Sequence, residues 1–457
     1  MPHNQDRNHA IVIGASMAGL LAARVLADHF EQVTLIDRDT FPPEGQHRRG
    51  VPQGHHTHGL LAGGKQVVER LFPGISQEFI DGGAVKGDLA RDSRWFLEGA
   101  CLCKFTSGLG GLLLSRPFLE GKVRRYLLRI PNVRAREGCT VKGLATTGDK
   151  KRVTGIQMEG ETIDADLVID ATGRGSHSPE WLEPMGYPKP SEERVEIALG
   201  YTTRLFRRSP LDLKGDGAAV ITPTPETKRA GVMLAQEGDR WTVTLVSYFG
   251  NYAPTELEGF IEFARSLPAP FIYEVVRLAE PISEPVSARF PASVRRRYEK
   301  LDRFPDGFLV FGDAISSFNP MYGQGMSVAA LEALALDETM IQGQSDLGRR
   351  FFPKAARIID NPWNIVVGGD LRIPETIGPR SASVNFINWY MSKLHKAAHR
   401  DPEVALAFHK VGNLLVSPQA VMHPRIIARV LRESLRARTA EQSVLRNQDL
   451  FQEEARK

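Results

Sequence analysis

Six residues near the N-terminus have the spacing to hold a diphosphate. Gly14, Ala15, Ser16, Ala18 and Gly19 share one short turn, and Asp37 follows 23 positions after Gly14. Small residues in such a turn bare the backbone N–H groups at a helix start. These N–H groups cradle phosphates, and the acid takes a ribose hydroxyl pair. Ser16 stands where the second glycine of G-x-G-x-x-G normally lets the backbone close on the phosphates. Its Cβ crowds the turn, and its hydroxyl offers a donor in exchange. The same spacing also occurs as a plain turn in other α/β proteins, so the flanking elements must decide. Ile11-Val12-Ile13 reads as a buried parallel strand, Leu20, Ala23, Arg24 and Ala27 as a helix, and Val33 to Ile36 as a second strand ending at the acid. Strand, turn, helix, strand and acid in that order predict a dinucleotide-binding fold. The apolar stretch 11–27 also invites a secretory-signal reading. Its internal glycines, the strand that follows and the lack of a preceding basic cluster oppose it.

A second set of reactive types lies in the loop from Arg48 to Leu60, which carries His55, His56 and His58 with His47 just before it. As metal ligands these histidines lack an acid or cysteine at a convincing spacing. Alternatively the loop folds back on the dinucleotide, with Arg48 near the phosphates and Gln53 or His58 near the ring. A purely structural loop is the third reading. Arg116 opens a helix, with Pro117 in its first turn, after the strand-like residues 112–115. A cation at a helix start is misplaced on dipole grounds unless an anion or a ring lies there. Strands at 140–144, 152–158 and 161–163 form a meander that closes into Leu167 to Asp170 and the turn Ala171-Thr172-Gly173.

A chain of 457 residues has room for more than one domain, and 42% hydrophobic with 25% charged residues reads as a soluble globular protein. It contains no apolar run of about 18–20 residues, the length that spans a bilayer. A balance of 58 basic and 54 acidic groups gives no reason to expect nucleic acid as a partner. Three cysteines make neither a disulfide framework nor a metal spacing, which predicts a reducing, cytoplasmic home. Runs at 195–206, 218–222, 231–236, 241–248 and 286–290 predict an antiparallel sheet, and helices are expected at 326–340, 348–370, 384–398, 403–415 and 425–438. The expected division is 1–175 and 301–345 as two parts of the nucleotide-binding domain, 176–300 as an inserted substrate domain, and 346–457 as a helical C-terminal region.

Three separated pieces carry a resemblance. They are the N-terminal turn with Asp37-Arg38-Asp39, the run Asp170-Ala171-Thr172-Gly173-Arg174-Gly175-Ser176, and Gly312-Asp313-Ala314 followed by Phe318-Asn319-Pro320 and Tyr322-Gly323-Gln324-Gly325. In this order they resemble FAD-dependent monooxygenases of the aromatic-hydroxylase and squalene-epoxidase type. Within that group the chain looks most like the flavin epoxidases of polyether antibiotic pathways, such as those for lasalocid and monensin. A basic pair before Gly50-Val51-Pro52-Gln53 and the segment Thr203-Arg204-Leu205-Phe206 extend the likeness across roughly residues 10–375.

The resemblance implies an α/β fold: an FAD-binding Rossmann-like domain of the glutathione-reductase type, an inserted antiparallel β-sheet substrate domain and a helical C-terminal region. It assigns the pyrophosphate of a non-covalent FAD to the turn Gly14 to Gly19 and the ribose to Asp37. Arg38, Arg48, Gln53, Arg116, Thr172 and Gly173 join the cofactor set, with Val141 against adenine and Asp313 on the ribityl or phosphate part. Pro320, Gly323, Gly325 and Met326 would run beside the isoalloxazine, where the N–H groups of a helix start meet the charge that gathers on reduction. His58, Pro320 and Tyr322 are the catalytic candidates. The implied activity is epoxidation or hydroxylation of an apolar or unsaturated small molecule by O2 through a flavin C4a-hydroperoxide. NAD(P)H, or reduced flavin from a partner reductase, is the implied electron donor. Aromatic hydroxylases often carry His where Ser316 stands and Asn where Ser327 stands, which moves the reading away from phenol hydroxylation. The paired-tryptophan and lysine features of flavin halogenases are also missing from this sequence. A flavin reductase or dehydrogenase acting on a prenyl or polyketide chain is the alternative enzyme, and a redox-sensing flavoprotein is an alternative of a different class.

Overall fold

The computed structural model describes residues 7–343 and 345–436. Its organising layer is a five-stranded parallel sheet in the order Phe308–Val310, Leu167–Asp170, β1 (His9–Ile13), β2 (Gln32–Ile36), Val133–Arg136. The middle strands are fully covered, as their charge-free sequences require. Helix α1 (Met17–Leu26) makes the crossover from β1 to β2. From β1 the chain winds first toward Val133–Arg136 and later returns on the other side through Leu167–Asp170. The order therefore reverses beside β1, and in such sheets the crevice at the carboxyl ends of those strands is where ligands bind.

A second, eight-stranded sheet has the order Ser316–Ser317, Val286–Arg296, Glu192–Arg207, Arg240–Tyr248, Arg229–Gln236, Ala218–Ile221, Ser93–Leu97, Ala100–Cys101. It is antiparallel apart from one parallel pair, Ala218–Ile221 with Ser93–Leu97. The sequence pattern placed this sheet within 176–300, whereas two of its edges come from 93–101 and 316–317. Those pieces are short: Ser93–Leu97 finds its partner Ala218–Ile221 more than a hundred positions away, and Ser316–Ser317 adds only two residues beside Val294 and Arg295, so no local pattern marks them.

Smaller differences have local causes. The strand expected at 140–144 begins only at Gly143, because Cys139 donates its N–H to the Asp37 carbonyl at 2.9 Å and pulls 139–142 toward β2. The strand expected at 112–115 ends at Leu113, since Ser115 turns to cap the helix Arg116–Leu128 through Phe118 N–H.

Helix Gly325–Ile341 packs on α1, and helix Leu347–Asp370 lies against it, passing through Pro353 and Pro362. Helices Ala382–Ala398 and Pro402–Gly412, with helical residues 424–436, form a separate apolar cluster that closes on Leu97 and Leu102 at the edge of the large sheet. The rest of the helix expected at 425–438, and the polar C-terminal residues, lie outside the described residues. Among the described residues no helix is long and apolar enough to cross a membrane.

Candidate functional site

One cavity of about 1430 Å³ opens at the carboxyl ends of the parallel strands. Four strand ends feed it: Gly14 after β1, Asp37 after β2, Thr172 and Gly173 after Leu167–Asp170, and Asp313 after Phe308–Val310. Ala15, Ser16, Ala18, Arg38, Arg48, Gln53, His58, Arg116 and Val141 also line it, as do Pro320, Tyr322, Gly323, Gly325 and Met326. Residues more than 300 positions apart in the chain thus share one wall.

Gly19 alone of the nominated set lies outside the lining. A Cβ there would run into the carbonyl oxygen of Gly14. Its absence lets α1 lie tight against the turn, so the residue serves packing rather than contact with a ligand. Gly14 is confined for a different reason. Its φ is +97°, and a Cβ would sit 2.6 Å from the Ala171 carbonyl oxygen.

The phosphate end is ionic. Asp37 Oδ2 accepts from the Ala15 N–H at 2.7 Å and from Arg48 at 3.1 Å, and its Oδ1 accepts from Asp39 N–H. Glu120, one helical turn beyond Arg116, binds Arg116 at 2.9 Å and Arg48 at 3.0 Å, with Arg124 3.9 Å away. The Ser16 hydroxyl donates to Glu120 at 3.2 Å and accepts from Arg116 at 2.8 Å. Sequence reasoning asked what anion faces Arg116 and overlooked Glu120, although the (i, i+4) spacing was visible. Three guanidinium groups face two carboxylates here, leaving room for one more negative group.

Two helix starts open on this space. Ser16 turns its side chain away to the arginine cluster, so the first turn of α1 has no side-chain cap, and Gln324 makes none for Gly325–Ile341. N–H groups left bare in this way, a glycine turn and paired arginines form the donor set that a dinucleotide diphosphate and a ring edged with carbonyls require. The residues present therefore fit FAD. Asp313, between the two helix starts, has its carboxyl pushed up by burial, with Arg116 and Arg174 pulling against that.

The histidine loop folds over the cavity as a short 3-10 turn, Pro52–His55. His47 and His55 stack on each other at 3.7 Å. His56 is buried edge-on against Tyr201 and hydrogen-bonds Thr203 Oγ1 at 2.8 Å. His58 hydrogen-bonds the His56 carbonyl at 3.0 Å. Burial, reinforced by Arg116, lowers the His58 pKa to about 3, and His56 falls to about 4 chiefly through burial. Both imidazoles are neutral at physiological pH. Among the described residues no group of three or more His, Cys, Asp or Glu gathers to hold a metal.

Beside Pro320 lies a polar cluster that sequence reasoning missed. Asn319 is fully buried. Its Oδ1 accepts from Met321 N–H at 3.0 Å, and its Nδ2 donates to Asp370 Oδ1 at 2.7 Å and to the Tyr248 hydroxyl at 2.9 Å. Tyr322 reaches the same carboxyl, and burial raises the Asp370 pKa to about 7 despite these donors. Asn319 stood in a quoted motif, but Asp370 sits 51 positions on with nothing local to mark it.

The fold is that of the FAD-dependent monooxygenases and halogenases. A flavoprotein/dehydrogenase from Cytophaga hutchinsonii superposes with a TM-score of 0.68 at 16% identity, covering 94% of this chain and 99% of that one. The flavin-dependent brominase Bmp2 superposes at 0.61 with 14% identity, covering 94% of this chain and all of that one. At such identities the likeness is one of fold. In sequence the chain is 32% identical over 470 residues to Protein Rv3254 of Mycobacterium tuberculosis, covering 95% of this chain and 96% of that protein, and it belongs to the same family. Kynurenine 3-monooxygenase of Salinispora tropica is a more distant relative, 23% identical over 379 residues and covering 74% of this chain and 73% of its own. No protein-family model matches.

Proposed function

We propose that this protein is an FAD-dependent monooxygenase that inserts one atom of O2 into an apolar or unsaturated small molecule. The observation that carries the reading is the continuity of the cavity. It runs from the phosphate turn past Pro320 to Met326 and on into a chamber walled by the large sheet and the C-terminal helices. A ring held at Pro320 would face that chamber, so cofactor and substrate meet without a second site. The kinship with a kynurenine 3-monooxygenase agrees with this chemistry.

Bound FAD, once reduced, supplies the reaction with O2, and this chain supplies position and dryness. Asp37 and Arg38 hold the ribose end, Arg48, Arg116 and Ser16 the diphosphate, and Val141 the adenine. Thr172, Gly173 and Asp313 serve the ribityl part. Gly325 and Met326, in the first turn of their helix, would offer N–H groups to the ring edge, Gly323 would shape the turn with its own N–H held by the Pro320 carbonyl at 3.1 Å, and Gln53 with His58 would cover the ring from the loop. His58, neutral and half-buried, excludes water without bringing a charge to the reacting atoms. Pro320, in the cavity wall, would lie against the ring and help shield it from water. Tyr322 stands between the cavity and Asp370, and the Asp370 carboxyl, which titrates near neutrality, is placed to hold a proton there. The electron-rich double bond of an epoxidase substrate suits such a site, as the polyether-epoxidase likeness suggests. The donor of electrons is NAD(P)H binding transiently or a partner flavin reductase.

The Cytophaga hutchinsonii flavoprotein/dehydrogenase keeps a second reading alive, oxidation or reduction without oxygen insertion. Turnover under ¹⁸O2 separates the two. A product carrying one labelled oxygen is expected, and substrate conversion without label would overturn the monooxygenase. Asp37 is tested by FAD retention. Asp37→Ala removes a charge-assisted bond of about 1.5–3 kcal/mol, so flavin content after gel filtration should fall about 10-fold or more. Full retention would take Asp37 out of the site.

A further inference from the structure

Beyond the ring, Trp95, Tyr390, Met391 and Phe408 wall the far end of the cavity. Asn388, His409, Asn413 and Gln419 add polar groups to this wall, and among the described residues a further side chain there has both its polar atoms buried without a partner. His395, on helix Ala382–Ala398, lines the cavity, is 8% exposed, and has no hydrogen bond to either ring nitrogen. The Phe408 ring sits edge-on against it at 4.9 Å and fixes its plane. Burial, aided by Arg372 and His399, holds the pKa of His395 at about 4 against the opposing pull of Glu98. The imidazole is therefore neutral and presents one donor and one acceptor. A buried polar group left unsatisfied costs about 1–3 kcal/mol, and an apolar helix neighbour would avoid that cost. An imidazole buried at the cavity wall with both nitrogens unpaired points to a ligand.

The surroundings narrow the ligand's chemistry. Arg372 is engaged by Glu98, which also accepts from Ser392 at 2.9 Å, so the nearest cation is not open to an acid. The acids in the cavity lining, Asp37, Glu180 and Asp313, belong to the cofactor half. A charged substrate group would meet at this end only Arg372, already paired with Glu98, whereas a neutral hydroxyl finds both roles it needs on the imidazole. Trp95, Tyr390 and Phe408 offer faces and edges suited to a flat ring.

We infer that His395 is the polar anchor of the substrate chamber, hydrogen-bonding a neutral hydroxyl carried by an otherwise apolar, ring-bearing substrate. The inference rests on the proposed monooxygenase reading only in taking the chamber's occupant to be the molecule oxidised.

Binding of a matched probe pair tests it without turnover. The FAD-loaded protein is titrated calorimetrically with 2-naphthol and with naphthalene, which differ by one hydroxyl. The wild type should favour 2-naphthol by about 10-fold, the scale of one buried hydrogen bond. His395→Leu should bring the pair to within about 3-fold, with naphthalene binding, flavin content and melting temperature retained. If that variant does not fold, His395→Phe keeps a ring against Phe408 and must give the same loss of preference. A preference that survives the substitution, or a wild type that binds neither probe or both equally, overturns the anchor. The expected binding pattern together with failure to oxygenate any substrate would instead overturn the monooxygenase reading and leave the anchor standing.

Discussion

Gly19→Val is expected to abolish the folded, flavin-loaded protein. A Cβ at this position falls 1.7 Å from the Gly14 carbonyl oxygen, a backbone atom of the same turn. No side chain can swing aside to relieve the clash. Either α1 tilts away from β1 or the turn moves off the phosphate position. Tilting is costly, because α1 is buried along most of its length, between the sheet and helix Gly325–Ile341. Overpacking a core costs about 1–3 kcal/mol even where neighbours can yield, and here they cannot, so a loss above about 4 kcal/mol is expected. Soluble yield, melting temperature and flavin content measure it. Gly148→Ala is the control, since nothing lies within 4 Å of a Cβ there and the backbone is not left-handed. A soluble Gly19→Val protein with unchanged melting temperature and full flavin would sink the packing argument.

The N-terminal turn was legible because its signals are local. A charge-free strand, a glycine spacing and an acid at the end of the next strand each follow from a few consecutive residues. The same holds for Thr172 and Gly173, for Asp313 and for Gly323 to Met326, which is why strands distant in sequence could be expected around one cofactor. Gly19 shows the limit of that reading, since the motif contains it but only the backbone approach reveals that it packs rather than binds. Glu120 shows another: its spacing from Arg116 was plain, but Arg48 and Ser16 complete its role from more than seventy positions away. Asp370 and His395 carried no local signal. Each sits on a C-terminal helix whose pattern is satisfied by apolar neighbours, and only the folded chamber shows them buried with unpaired atoms. The segment 62–111 was silent for the same reason. Its strand Ser93–Leu97 acquires meaning by pairing with Ala218–Ile221, and its helix Ala62–Leu71 by lying on Gly325–Ile341.

Glu332→Gln is expected to make the protein more stable in alkaline solution and to change little in acid. Glu332 lies inside helix Gly325–Ile341 with no exposure; its Oε2 accepts from the Gly312 N–H at 2.8 Å, and its Oε1 has no partner among the described residues. Burial, with the charge of Asp313 adding to it, raises its pKa to about 8 from the usual 4.5. Between those values the native protein keeps a proton that the unfolded chain has released. Stability contributed at this site is therefore fully present below pH 4.5, declines as pH rises and levels off above about 8. At about 1.4 kcal/mol per pKa unit the whole decline is on the order of 5 kcal/mol. Glutamine keeps an oxygen for the Gly312 N–H and has no proton to lose, so the variant escapes the decline. Asp370, whose pKa lies near 7, adds a smaller fall that ends sooner and is common to both proteins. Urea unfolding at pH 5, 7 and 9 should show the two proteins alike at pH 5, with the variant's advantage opening through pH 7 to its largest at pH 9. Unfolding midpoints that run parallel across this range would mean that Glu332 is not the buried, proton-holding carboxyl beneath the Gly312-Asp313 turn.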